Sequence, residues 1–222
     1  MSSFWDVNEK MEFDLAQSGQ ITMRTACGRY IYDILQGEAG NTIHRIVEIG
    51  TWNGLGSTMC IVLGIQGKSI ASFQSLECNK DKHLCAVEHF GDNLDDKTEL
   101  IWGSIVRPEN INTEEYRRNF PELEGSERLR GWFDIDLKNC VAAPNVLDAL
   151  PEKIDFLLLD GGEYTTLNEF EILLPRCVRY IALDDTSQDK CRECRARLLS
   201  NPEWIEVVKL DERNGFSIFK RV

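Results

Sequence analysis

The stretch Arg45-Ile46-Val47-Glu48-Ile49-Gly50-Thr51-Trp52-Asn53-Gly54-Leu55-Gly56-Ser57 decides how this chain is read. A short β-branched run ends in an acid and a glycine. A turn of small residues follows, and an apolar segment from Thr58 to Leu63 starts a helix. Such a succession is a strand–loop–helix unit whose loop passes close to a ligand. Glycine admits positive φ and puts no side chain between backbone and ligand. A helix that begins at Ser57 offers its first N–H groups, which have no partner within the helix, to a carboxylate or phosphate.

Spacing separates the cofactors that use this unit. A dinucleotide-binding loop carries G-x-G-x-x-G. Here the glycines stand at 50, 54 and 56, and Trp52 takes the place of the second. An indole at that point obstructs a pyrophosphate, which disfavours a nicotinamide cofactor. The pattern E-x-G-x-x-x-G instead resembles motif I of the class I S-adenosylmethionine-dependent methyltransferases. Its O-methyltransferase branch is the most similar, since it often has a bulky aromatic where Trp52 stands. The resemblance implies that Glu48, Gly50, Thr51, Trp52, Gly54 and Ser57 surround the methionine end of the cofactor.

Working outward, Ser69 to Glu77 reads as a second strand, again ending in an acid. In nucleoside-binding α/β folds an acid at this place takes the ribose hydroxyls, because one carboxylate accepts two hydrogen bonds. Glu77 is the expected ribose ligand. Asp81 to Phe90 reads as an amphipathic helix, with His83 and His89 as structural or surface residues. Glu99 to Ser104 reads as a third strand, and the resemblance places the adenine near Gly103 and Ser104.

The second half carries the chemistry. Ile154 to Leu159 is a continuous apolar run, as a central parallel strand requires, and it leads into Asp160-Gly161-Gly162-Glu163. Tyr180 to Leu183 is a further buried strand, ending in Asp184-Asp185. Residues just past the carboxyl ends of parallel strands line one crevice, so Asp160, Asp184 and Asp185 are expected to converge. Three carboxylates in one crevice repel, which favours a bound cation or a raised pKa. Oxygen ligands select hard ions such as Mg²⁺ or Ca²⁺. The arrangement is similar to that of metal-dependent O-methyltransferases of the catechol, caffeoyl-CoA and related sugar type. In that resemblance Asp160, Asp184 and Asp185 hold Mg²⁺, and the ion binds the acceptor hydroxyl. Asp160 also borders the cofactor. A Lys or His base often follows three residues after the first Asp; here the position is Glu163. Glu163 then serves as base or extra ligand, and Asp160, Glu163 and Asp184 form the expected catalytic group. Metal-independent transfer to O or N with Glu163 as base stays open, as does a catalytically silent cofactor-binding module.

Residues 106–142 hold two prolines, two glycines, many charges and the aromatics Tyr116, Phe120, Trp132 and Phe133. They read as an irregular lid insertion between the third and fourth strands. Its aromatics and acids (Trp132, Phe133, Asp134, Asp136) suit a sugar or polyol acceptor. Residues 1–40 read as a helical cap that includes a helix from Thr25 to Leu35, and Ser18 to Thr22 reads first as a helix-capping loop, with reach to the ligand as the alternative. Ser187 to Ser200 reads as a basic helix, followed by strands Trp204–Lys209 and Gly215–Lys220.

The expected fold is therefore a Rossmann-like α/β domain spanning 1–222. It has seven mostly parallel strands, the last antiparallel, with helices on both faces. The chain has 222 residues, 42% hydrophobic, with a net charge of −12. No basic excess exists to neutralise nucleic-acid phosphates. The apolar runs are too short to span a bilayer, and the first ten residues lack the apolar centre of a signal peptide. A cytoplasmic protein acting on a small molecule is expected, with a homodimer left open. The eight cysteines lack the spacing of a disulfide scaffold. Cys191-Arg-Glu-Cys194 is a single CxxC with no second ligand pair, and reads as the surface of a helix.

Overall fold

In a computed structural model, which describes residues 20–107 and 122–222, seven strands form one sheet in the order β3-β2-β1-β4-β5-β7-β6. The strands are β1 (Arg45–Ile49), β2 (Ser72–Glu77), β3 (Thr98–Trp102), β4 (Ile154–Leu159), β5 (Cys177–Asp184), β6 (Trp204–Leu210) and β7 (Phe216–Arg221). The first five pair in parallel, and β7 runs antiparallel to both β5 and β6. The helices are α1 (Ala26–Glu38), α2 (Ser57–Ile65), α3 (Lys80–Phe90), the short α4 (Glu122–Gly125), α5 (Glu127–Ala142), α6 (Thr166–Leu173) and α7 (Asp189–Ser200).

The apolar runs explain the layers. Successive side chains of a strand point to opposite faces, so a strand covered on both sides must be apolar throughout. In β4 every residue is buried. Phe156 and Leu158 join α1 and α2 in one core, while Leu157 and Leu159 join α6 and α7 in the other. Because the strand order reverses between β1 and β4, their carboxyl ends open a crevice, the usual ligand position in such sheets.

Two sequence expectations change here. The stretch 106–142 is not irregular throughout. Residues 127–142 form a regular helix, capped by Ser126 Oγ, which accepts from Leu129 N at 3.3 Å. Leu129, Phe133, Leu137 and Cys140 make a thin stripe at helical spacing, and they pack with Val106 and Tyr164 in a small third core. Residues 108–121 of that stretch lie outside the described residues, as do residues 1–19 of the N-terminal segment. The CxxC lies on a helix, as expected, but not on its surface. Cys191 and Cys194 are both fully buried against the sheet, one helical turn apart. Among the described residues no helix is long and apolar enough to cross a membrane.

The amino ends of β1 and β4 are tied by one carboxylate. Asp155 Oδ2 accepts from His44 N at 3.0 Å and Arg45 N at 2.9 Å, and Oδ1 accepts from Arg45 Nη2 at 3.2 Å. Burial alone would raise its pKa; the Arg45 side chain and the two backbone donors outweigh burial and hold it below the usual range. This clamp sits at the amino ends of the two central strands, opposite the crevice. Asp155→Ala is expected to cost about 2–3 kcal/mol, since it strands buried donors, while ligand binding at the crevice stays unchanged. Urea unfolding measures the first part. An unchanged midpoint would contradict the clamp.

Candidate functional site

The loop from Gly50 to Gly56 is shaped by contacts that only certain residues allow. Gly50 has φ 104°, and a Cβ on it would lie 2.1 Å from the Asp160 carbonyl oxygen. That close approach brings the ends of β1 and β4 together. Trp52 also has positive φ, at 52°, a conformation that costs a non-glycine residue about 1 kcal/mol or more. It is held there because its N–H donates to Glu77 Oε2 at 2.7 Å. Helix α3 supports the loop from outside. The ammonium of Lys82 lies 4.0 Å from the centre of the Trp52 ring, and His89 Nδ1 donates to Asn53 O at 2.8 Å. His89 thus has the structural role expected of it. Gly54, with φ 80°, leaves room for the Phe90 ring.

Glu48 lies beneath this loop and does not face the crevice. It is fully buried and accepts from Ser57 Oγ at 2.5 Å, Ser75 Oγ at 2.6 Å and Thr58 Oγ1 at 2.7 Å. Strand parity is the reason. Glu48 shares its face with Ile46, which packs towards α2. The expected ligand contact of Glu48 is therefore replaced by a scaffolding one, in which the acid fixes the start of α2. Burial pushes its pKa up to about 7 against the opposing pull of the three hydroxyls. Gly54 likewise contacts α3 and does not line the cavity.

A cavity of about 650 Å³ opens over the loop, within the range of small-molecule sites. Of the residues expected at the ligand, Gly50, Thr51, Trp52, Ser57, Glu77, Ser104, Asp160, Glu163, Asp184 and Asp185 line it. Glu77 is largely buried, and its second oxygen accepts from Asn79 N at 2.8 Å. Each Glu77 oxygen thus has one backbone donor and one lone pair to spare. Burial raises the Glu77 pKa, while the two N–H groups oppose that rise. At the far side, Gly103 and Ser104 continue the wall. Gln20 reaches the cavity from the segment before α1, the alternative to a plain helix-capping role for this segment.

The other end of the cavity is acidic and carries two cations that the sequence reading missed. The ligand oxygens of Asp160, Asp184 and Asp185 lie within 4.8 Å of one another. Lys190 Nζ donates to Asp160 Oδ1 at 2.5 Å and to Asp185 Oδ2 at 3.0 Å. Arg213 Nη2 donates to Asp184 Oδ2 at 3.0 Å. Lys190 is 6% exposed. Burial opposes its charge, but Asp160, Asp184 and Asp185 hold it well above the usual lysine pKa. Burial, then the neighbouring Asp160 charge, pushes Asp184 up. Of the carboxylates that the resemblance assigns to Mg²⁺, Asp160 and Asp185 are therefore hydrogen-bonded to an ammonium and Asp184 to a guanidinium. As arranged, this donor set already holds two cations.

Glu163 and Asp136 face the same space. Burial raises both pKa values, and Lys190 counteracts this in each case. Asp136 comes from α5 and accepts from Tyr164 N at 3.2 Å. Gly162 has no room for a side chain, since a Cβ there would lie 2.7 Å from Asp136 Oδ2. The other expected acceptor contacts fall elsewhere. Phe133 is buried edge-on against Tyr164, with ring centres 5.5 Å apart; Trp132 is exposed under Arg128, and Asp134 is exposed. Besides Lys190 and Arg213, the sequence reading missed Asn139 and Asn214, which also line the cavity.

No protein-family model and no curated protein matches the sequence. Solved structures do match in fold. The methyltransferase of Podospora anserina bound to SAH has 15% identity and a TM-score of 0.56, over 88% of this chain and 77% of that one. The O-methyltransferase from Bacillus cereus in complex with SAH has 14% identity and a TM-score of 0.59, over 100% and 92%. A methyltransferase from Geobacter sulfurreducens has 14% identity and a TM-score of 0.59, over 96% and 87%. The chain thus has the class I methyltransferase fold, with the seven mostly parallel strands and the antiparallel final strand expected from the sequence.

The raised Glu48 pKa has a measurable consequence. Between the unfolded value near 4.5 and the folded value near 7, the folded protein binds more protons than the unfolded chain. The Glu48 contribution to stability is therefore full below pH 4.5 and is lost as pH rises through 7. Glu48→Gln should remove this dependence. Its stability relative to wild type should improve by up to about 3 kcal/mol between pH 5 and 8. Melting curves of both proteins across that range test this; a constant difference would contradict it.

Proposed function

We propose that the chain is an S-adenosylmethionine-dependent O-methyltransferase acting on a hydroxyl of a small polyol, such as a sugar. The observation that carries this reading is one cavity that joins the glycine loop, the spare lone pairs of Glu77 and a carboxylate cluster. Two carboxylate lone pairs match the two hydroxyls of a ribose. The loop backbone and Ser57 suit the amino-acid end of the cofactor, and the Gly103–Ser104 wall suits the adenine. When bound, S-adenosylmethionine supplies an electrophilic methyl group. The fold shared with methyltransferase structures that hold SAH supports the same assignment.

The remaining work falls to the protein side chains. Glu163 is raised in pKa and faces the cavity, so it is the group to take the proton of the acceptor hydroxyl. Asp136, Asn139 and Asn214 border the same space and supply partners for further hydroxyls, while Ile135 gives an apolar wall. That mixture suits a polyhydroxylated acceptor better than an extended apolar one. Fixing the hydroxyl beside its base converts an encounter into an effectively unimolecular event, which contributes much of the rate.

Calorimetry with S-adenosylmethionine and S-adenosylhomocysteine tests the reading. Micromolar binding is expected, weakened at least about tenfold in Glu77→Ala, which corresponds to roughly 1.4 kcal/mol. No heat with either ligand would sink the proposal. Incubation with labelled cofactor and a panel of sugars, polyols, amines and phenols tests the acceptor; transfer confined to amines would overturn the hydroxyl assignment.

A further inference from the structure

The acidic end of the cavity holds its own cation. Lys190 is the second residue of α7, where the helix dipole presents its positive end and disfavours a cation. Burying an ammonium also costs several kcal/mol unless it is well paired. Lys190 nevertheless sits there, bonded to two of the three carboxylates, with Arg213 on the third. A Mg²⁺ or Mn²⁺ ion would need oxygens at close to 2 Å in near-octahedral geometry. Asp160 Oδ1 and Asp185 Oδ2, one oxygen from each of two of these carboxylates, are already used by Lys190. Ammonium and ion exclude each other.

We propose that Lys190 is the resident cation of this site and takes the place of a divalent ion, both in neutralising Asp160 and Asp185 and in positioning the acceptor. An ammonium has three donors, and two are committed to these carboxylates. Lys190 lines the cavity, so the third donor is available to an acceptor oxygen. Asp184 Oδ1 and Asp185 Oδ1 are buried without a hydrogen-bond partner. Having almost no exposed surface, they add negative charge behind that donor and leave Lys190 as the group that meets the acceptor oxygen. The acceptor part rests on the function proposed above. The exclusion of the ion rests on the geometry alone.

Titration calorimetry with MnCl₂ tests this on wild type, Lys190→Ala and Lys190→Gln, with S-adenosylmethionine titrated in parallel. Melting curves show that each variant is folded, and the glutamine variant retains length and an N–H donor if alanine proves too disruptive. Wild type should give no manganese heat at millimolar concentration, whereas the variants should bind at least about tenfold more tightly. A purely structural lysine would not confer such a gain when removed. Wild type binding manganese as tightly as the variants would overturn the proposal, as would folded variants that bind none. If neither variant folds, the wild-type titration decides. Absence of S-adenosylmethionine binding alongside the expected manganese result would overturn the assigned function and leave the resident cation standing.

Discussion

Burying carboxylates at the carboxyl ends of parallel strands is the constraint on which the rest of this structure depends. A buried charge costs several kcal/mol unless it is paired or hydrogen-bonded, and four strands end here in acids. Each has a different remedy. Glu48 collects three hydroxyls and fixes the start of α2. Glu77 collects two backbone N–H groups and thereby holds Trp52 in a left-handed conformation. Asp160, Asp184 and Asp185 share a lysine and an arginine. The loop geometry, the cavity wall and the electrostatics of the acceptor end all follow from how these acids are satisfied.

The same constraint explains how one cavity accommodates different chemistry at its two ends. Glu77, with donors only from the backbone, keeps lone pairs for a neutral hydroxylated ligand. The triad is close to charge balance, since two cations face three carboxylates. The nearby Glu163 and Asp136, raised in pKa by burial, add groups that exchange protons more readily than an exposed carboxylate does. Helix α5 brings Asp136 to this end, so the connection between β3 and β4 contributes to the site as a built element, anchored by Phe133 and Cys140.

Much of this was legible in the chain. The apolar runs of β1, β4 and β5, and the acids at the end of each, were enough to identify the central strands and to converge Asp160, Asp184 and Asp185. Glu77 was legible for the same reason, being one βα unit after Glu48. The role of Glu48 was harder to see, because an acid at a strand end looks alike whether it faces the ligand or the helix beneath. Its parity with Ile46 was the clue. Helix α5 was obscured by dense charge around a stripe only four residues long. Lys190 looked like part of a solvated basic helix. Its position in the first turn, at the wrong end of the helix dipole, was the sign that an acid elsewhere in the fold holds it. Arg213 gave no such sign, since a polar turn between two strands places no side chain by itself.

The most direct test of the account is a crystal structure grown with S-adenosylhomocysteine and excess MnCl₂, with data collected at the manganese absorption edge. The account predicts the ribose on Glu77, Lys190 between Asp160 and Asp185, and no anomalous peak among the three carboxylates. A manganese peak there with Lys190 turned away, or a ligand bound outside this cavity, would contradict it.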